Sequence, residues 1–197
     1  MTRVVQLIAI WCVMATAVVA WAQTPEGRDR YLDRPRGPYR GTVVDADTRA
    51  PLAGAVVVAY WSRDRIYLFH SVNEHYAVRE VLTGTDGGFV IDAKRIEEGA
   101  PRRTRHPEFL IFVPGYGSFP LWQKAPTGFI GGVFEGDGTV VELQRLKSVE
   151  ERRNQLIWVT PNSFTDKPFK DLPTLMKRIN EERGSIGLAP QLPSEDP

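Results

Sequence analysis

Short apolar runs recur along the middle of the chain, and turn-forming residues separate them. Residues 41–60 hold two such runs around a polar segment that contains Pro51 and ends at Gly54, a pattern that predicts a β-hairpin. Seven short strands with turns between them are typical of a β-sandwich, so the pattern predicts an all-β domain. The predicted strands cover residues 39–45, 55–61, 77–83, 89–92, 108–113, 119–122 and 139–146.

One turn of this pattern fixes the position of two core residues. Residues 85–88 read Thr-Asp-Gly-Gly and predict a tight turn, since glycine adopts positive φ without a steric cost. Phe89 and Ile91 follow it on one face of a strand. We expect both side chains to be buried with Val43 or Val57 in the core of the sandwich.

Two helices are predicted after the last strand. Ser148, followed three residues later by Glu151, forms a capping-box signal for a helix that ends near residue 157. A second helix is predicted with Asp171 as its N-cap and ends at Gly184. Because an isolated helix of this length is marginal in water, its apolar stripe should dock on the sandwich. The stripe consists of Leu172, Leu175, Met176 and Ile179.

The segments outside the sandwich are predicted from composition. Residues 1–22 carry one early charge, an apolar run and an Ala-Trp-Ala end, which predicts a signal peptide cleaved before Gln23. The alternative is an uncleaved anchor, since the run is near the length that spans a bilayer. Polarity predicts a flexible linker over residues 23–38. A helical extension over residues 147–187 and a disordered tail over residues 188–197 complete the chain.

Four motifs of the predicted sandwich match a known family. They read Gly41-Thr-Val-Val-Asp, Pro51-Leu-Ala-Gly-Ala, Thr85-Asp-Gly-Gly-Phe and Gly115-Tyr. Through these motifs, residues 39–146 resemble the carboxypeptidase regulatory-like domain family, also described as prealbumin-like or transthyretin-like, in its secreted bacterial form. The resemblance implies a seven-stranded Greek-key β-sandwich. It is specific for the fold and implies no particular ligand.

Charge and cysteine content restrict the function. Lys and Arg total 25 against 24 for Asp and Glu, so the chain has no strong field for nucleic acid or an anionic membrane. We therefore expect no nucleic-acid partner, and no membrane insertion once the signal peptide is cleaved. Cys12, the only cysteine, lies in the predicted signal peptide. A chain without it has no disulfide, thiolate nucleophile or cysteine-ligated metal.

Residues 61–76 form a segment that is longer than a hairpin connection needs and is rich in aromatic side chains. Irregular connections of this length are usually functional or disordered, and the aromatic content argues against disorder. Alternatively, residues 67–69 form an extra strand whose aromatic side chains cover the sandwich or receive the C-terminal helix. The predicted binding surface consists of Trp61, Arg65, Tyr67, Phe69, His70, His75 and Tyr76.

These patterns predict a non-catalytic, periplasmic or secreted module that binds an envelope protein, a glycan or a small ligand through loops. The alternative is a hydrolase or metalloenzyme with a site on residues 61–76. The five-residue spacing of His70 and His75 matches no metal-ligand pattern, so we assign no catalytic residue, cofactor or metal ligand. Convergence of these histidines with His106 and an acid in one cleft would favour the enzyme.

Overall fold

The apolar runs form two β-sheets in the computed structural model, which describes residues 31–33, 35–120, 129–130, 133–134, 138–159 and 172–191. These residues belong to one compact unit. The predicted signal peptide and residues 23–30 of the predicted linker lie outside the described residues. The strands are β1 (Tyr39–Asp45), β2 (Val56–Ile66), β3 (Ser71–Leu82), β4 (Gly88–Ile91), β5 (Glu108–Phe112), β6 (Phe129–Ile130), β7 (Val133–Phe134) and β8 (Thr139–Leu143). The helices are α1 (Lys94–Glu98), α2 (Val149–Trp158) and α3 (Pro173–Ser185).

The arrangement of the strands in the two sheets does not contain the hairpin expected over residues 41–60. One sheet has the order β4-β1-β8 and the other the order β3-β2-β5-β7-β6, so β1 and β2 belong to different sheets. The hairpin prediction is therefore wrong. The two apolar runs face each other across the core instead of pairing side by side, with Val43 on one sheet and Val57 on the other. The Asp45 carboxylate forms the turn between them by accepting the backbone N–H groups of Asp47 and Thr48, both at 2.9 Å.

The space between the sheets is filled by apolar side chains from both. Phe89, Ile91, Val43 and Val57 all lie in this core, as the sequence predicts. Gly87 adopts a φ of 73° in the preceding turn, and its carbonyl accepts a 2.8 Å hydrogen bond from the Val43 N–H. Positive φ is the conformation that favours glycine at this position, so the turn prediction is confirmed.

Helices α2 and α3 form a third layer on the outer face of the larger sheet. The capping box of Ser148 and Glu151 is present, and the apolar stripe of α3 is buried. This stripe packs against side chains that point outward from β2 and β5, which confirms the predicted docking. Those side chains are Val56, Val58, Leu110 and Phe112.

The N-terminus of α3 is capped differently from the prediction. Its N-cap residue is Leu172, which makes no side-chain capping bond, and Asp171 lies outside the described residues. The carboxylate of Glu80, on β3, accepts the N–H groups of Thr174 and Leu175 at 2.8 and 3.0 Å. A distant strand therefore satisfies the free donors of the helix, and its negative charge complements the helix dipole.

Part of the predicted linker is attached to the domain. Tyr31 bridges to Arg105 in antiparallel fashion, and the buried carboxylate of Glu97 accepts the N–H groups of Arg36 and Gly37 at 2.6 and 2.9 Å. The polar composition of this segment hides the attachment to Glu97, because those two bonds come from its backbone. At the other end, residues 188–191 of the predicted tail are also held, for example by the 2.7 Å bond from the Gln191 N–H to the Asn180 side chain.

The described part of the chain is therefore mostly β, with two packed sheets and a helical layer. Eight strands are present among the described residues, of which β6 and β7 have two residues each. Helix α1 lies in the charged region after β4, where the apolar pattern gave no element. Within the described ranges, none of the helices combines the length and hydropathy that a membrane crossing requires.

Candidate functional site

The β2–β3 hairpin extends past β5 and past residues 103–105, whose backbone continues beside β2 as far as Asp64. Strand β2 pairs with β5 only from Val56 to Tyr60, whereas its pairing with β3 continues to the Ile66–Ser71 pair. A register shift between Trp61 and Ser62 marks the point where the extension begins. We call residues 62–75 the hairpin arm and residues 66–70 its apex. The predicted irregular loop over residues 61–76 is thus two regular strands and a tight turn.

The apex exposes apolar side chains at the end of the arm. The Tyr67 N–H donates to the His70 carbonyl at 2.8 Å, which places Leu68 and Phe69 at the centre of the turn. The rings of Tyr67 and His70 stack with their centroids 5.0 Å apart. Leu68 is 88% exposed and Phe69 is 91% exposed, and Ile66 beside them is more than half exposed. A cluster of this kind on a domain surface usually marks an interaction site.

A buried carboxylate holds the arm to the body of the domain. Asp64 accepts a 2.7 Å bond from the Tyr31 hydroxyl, a 3.0 Å bond from the Asn73 amide, and bonds from the Arg105 guanidinium at 2.7 to 3.0 Å. Burial alone would raise the pKa of Asp64, but the bonds from Tyr31, Asn73 and Arg105 outweigh it and lower the pKa. The Asp64 hydrogen bond in turn raises the pKa of Tyr31. Asp64 therefore fixes the direction in which the arm projects.

Salt bridges continue along the arm towards the apex. The Glu74 carboxylate lies between Arg63 and Arg65, with an N–O distance of 3.3 Å to each. The pKa of Arg65 is raised, first by a hydrogen bond with Tyr67 and then by the charge of Glu74. Arg65 is exposed and Arg63 and Glu74 are only half-buried, so water screens these contacts and their stabilising effect is small. They do place positive side chains directly behind the apolar apex.

The structure separates six of the seven predicted site residues into two groups. Trp61 is 0% exposed and its ring N–H donates to Glu97 at 3.1 Å, so this residue belongs to the core and not to a binding surface. Tyr76 is half-buried and donates to the carbonyls of Ile96 and Gly99, which ties β3 to α1. The residues that do lie at or next to the apex are Arg65, Tyr67, Phe69 and His70.

Two features of this region escaped the prediction from sequence. Leu68 and Ile66 were left out of the predicted surface although they flank residues included in it. Their signal is an apolar pair in a turn, where polar and glycine residues are the usual choice. Glu97 was also missed, because its partners Arg36, Gly37, Tyr39 and Trp61 are distant in sequence.

The three histidines lie at separate positions: at the apex, along the arm and in the body of the domain. His75 is opposite Ser62 in the β2–β3 register, five residues along an extended strand from His70 at the apex. At about 3.3 Å per residue, this spacing corresponds to roughly 16 Å. His106 is buried just before β5. Within the part of the chain that the structure describes, no group of three or more His, Cys, Asp or Glu side chains could hold a metal ion.

Comparison with known proteins adds no family to this description. No protein-family model matches the chain, and no curated protein matches it. Among solved structures, it is similar to a 9R-lipoxygenase from Cyanothece PCC8801, with 13% identity and a TM-score of 0.31. The match covers 92% of this chain and 28% of the lipoxygenase chain. A similarity at this level carries no argument about the fold or activity of the present protein.

Proposed function

We propose that this protein is a non-catalytic, exported binding module that contacts an envelope partner through the apex of its hairpin arm. The observation that carries the proposal is the exposure of Leu68 and Phe69 at the centre of a well-formed turn. Apolar side chains placed there do nothing for the core, and turn chemistry favours polar residues and glycine at such positions. Departures from local sequence preference of this kind are expected at functional sites.

The shape of the site supports a macromolecular partner. Small ligands are usually held in concave pockets that bury most of their surface. The arm is convex, and its apolar side chains point away from the domain at its end. Of the partner classes expected from the sequence, a larger surface into which the apex inserts therefore fits better than a small molecule or a single sugar.

The rest of the molecule is suited to holding this arm in place. The base of the hairpin is buried between the three-stranded sheet and the helical layer. Asp64 fixes the arm to Arg105. A rigid framework that carries a variable contact surface is a common arrangement in β-sandwich binding domains. As part of the same proposal, we assign the two packed sheets to a Greek-key, transthyretin-like sandwich. The motif at residues 85–89, whose turn and buried Phe89 are in place, supports this assignment.

The proposal is tested by capture from a cell-envelope extract with the purified, tagged protein. We expect the double variant Leu68→Ser/Phe69→Ser to lose the components that the unmodified protein retains. The matched control is Val90→Ser/Val149→Ser, which removes two exposed apolar side chains from positions outside the arm. Equal capture by the unmodified protein and the apex variant would contradict the proposal. The proposal would also be contradicted if the control variant lost the captured components to the same extent as the apex variant.

A further inference from the structure

The apex of the hairpin arm has a charged collar of one predominant sign. The arm and the segment beside it, residues 101–105, carry five arginines and two carboxylates. The carboxylates are Asp64 and Glu74, and both are paired with arginines. The arginines are Arg63, Arg65, Arg102, Arg103 and Arg105. The whole chain is close to neutral, so this excess is a local feature of the collar.

Two of these arginines face solvent and pair with no carboxylate of the described residues. Arg102 and Arg103 are exposed and form no salt bridge with any residue in the described ranges. The Arg103 carbonyl accepts the Asp64 N–H at 3.1 Å, so this pair lies beside the arm four residues before Leu68. At about 3.3 Å per residue, the arginines are roughly 13 Å behind the apex.

We propose that the apex inserts into the interface of an anionic lipid membrane, with the arginine collar on the lipid phosphates. Apolar groups of peripheral proteins are buried about 5–10 Å into the boundary between headgroups and acyl chains. With Leu68 and Phe69 at that depth, the collar lies at the level of the headgroups, where basic residues are attracted to anionic lipids. This inference rests on the proposed function and names its partner.

This mode of binding differs from crossing the membrane. The neutral overall charge led us to expect no membrane insertion after signal cleavage, but that argument averages over the chain. The structure concentrates apolar area and positive charge at one end of the hairpin. The protein would attach to one leaflet through a few side chains and leave the sandwich in water.

The small size of the apex favours a lipid surface over a protein cleft. A stable protein–protein interface buries about 800 Å² on each partner. The exposed apolar surface of the apex comes from four consecutive residues at a turn, and the collar behind it is polar. A lipid surface needs no complementary shape, since acyl chains rearrange around an inserted side chain. Four such residues and a positive collar therefore suit a lipid surface better than a protein interface, for which they are small.

Vesicle sedimentation tests the inference with the purified protein that starts at Gln23, the N-terminus predicted after signal cleavage. We expect binding to vesicles of phosphatidylglycerol and phosphatidylcholine in equal parts, and at least tenfold weaker binding to phosphatidylcholine alone. The variant Leu68→Ser/Phe69→Ser should reduce binding to the anionic vesicles at least tenfold. Arg102→Gln/Arg103→Gln should reduce binding and weaken its salt dependence, whereas Val90→Ser/Val149→Ser should bind normally. Inorganic phosphate at the ionic strength of a matched chloride control should not compete.

Each remaining outcome overturns the inference in a recognisable way. Anionic-vesicle binding that the apex variant retains would show simple electrostatic adsorption. Competition by inorganic phosphate beyond the chloride control would show an anion site rather than a lipid interface. If no vesicle binds while capture from the envelope extract still depends on Leu68 and Phe69, the partner is a protein and the proposed function stands without this inference. If the protein neither binds vesicles nor shows capture that depends on the apex, the proposed function is rejected as well.

Discussion

The base and the apex of the β2–β3 hairpin are parts of one continuous element with opposite surroundings. At the base, alternate residues of β2 face the three-stranded sheet and the helical layer. Val57 and Val58 are therefore buried on opposite sides of the same strand. At the apex, Leu68 and Phe69 contact little besides solvent. Apolar residues therefore serve folding at one end of the hairpin, and their exposure at the other end requires a different explanation.

The difference shows why local composition does not reveal a binding surface by itself. Trp61 and Phe69 are both aromatic, they are eight residues apart, and the sequence places both in one candidate surface. Their roles separate beyond Asp64, the last residue of β2 that bonds to the neighbouring backbone of residues 103–105. Trp61 lies over the core before that point, whereas Phe69 lies past it and is 91% exposed. Where the neighbouring strand ends decides which aromatic residues are buried.

Truncating one aromatic residue at each end of the hairpin tests most strongly whether the base and the apex differ in their contribution to stability. Trp61→Ala should lower the free energy of unfolding by about 3–5 kcal/mol, because it leaves a cavity and removes a donor to buried Glu97. Phe69→Ala should change the free energy of unfolding by no more than about 0.5 kcal/mol, as expected of a surface position. Denaturant unfolding of both variants measures the difference. Similar destabilisation by the two changes would show that the apex is part of the core.

A smaller effect is expected where the base of the hairpin supports helix α3. Glu80→Ala leaves the N–H groups of Thr174 and Leu175 without their acceptor, and the loss of a helix cap costs about 0.5–2 kcal/mol. Glu80→Gln is the matched control, since its amide oxygen can accept one of the bonds. Hydrogen exchange should show faster opening of α3 in Glu80→Ala while the apex turn is unchanged. Unaltered exchange in α3 would contradict the capping role.

The attachment of the arm should weaken in acid. The folded-state pKa of Asp64 lies below its ordinary value of about 3.9, so its stabilising contribution is complete above that pH. It is lost as the pH falls through the lowered pKa, when protonation breaks the ionic contact with Arg105. Asp64→Asn should therefore be less stable than the unmodified protein near neutral pH, and the gap should close in acid. A gap that is independent of pH would contradict this account.

The sequence predicts the elements of the fold better than their arrangement. The limits of β1 match the prediction, and the capping box and the apolar stripe of α3 are confirmed, because each depends on a few adjacent residues. Pairing between strands is a different matter. The two runs of residues 41–60 are expected side by side, yet they lie in separate sheets, since turn residues alone do not distinguish a hairpin from a crossing between sheets.

The residues of the apex were predicted only in part, because burial also depends on contacts between distant parts of the chain. The aromatic content of residues 61–76 indicated the segment that carries the exposed apex, but the predicted surface included the buried Trp61 and omitted the exposed Leu68. The carboxylates that hold the structure together, Glu80, Glu97 and Glu182, were not identified from the sequence. Each accepts hydrogen bonds from groups far along the chain, such as the 2.9 Å bond from the Gly115 N–H to Glu182. Contacts of this kind exist only after the chain has folded.

The measurement that tests the central claim most directly is the environment of residue 69 when the protein meets its partner. In a Cys12→Ser background, Phe69→Cys provides a single thiol for an environment-sensitive fluorophore, and Val90→Cys provides a matched label on the outer face of the other sheet. We expect the emission at position 69 to shift to shorter wavelength on addition of envelope membranes, while the emission at position 90 stays constant. An unchanged emission at position 69, or equal shifts at both positions, would contradict the assignment of the apex as the contact surface.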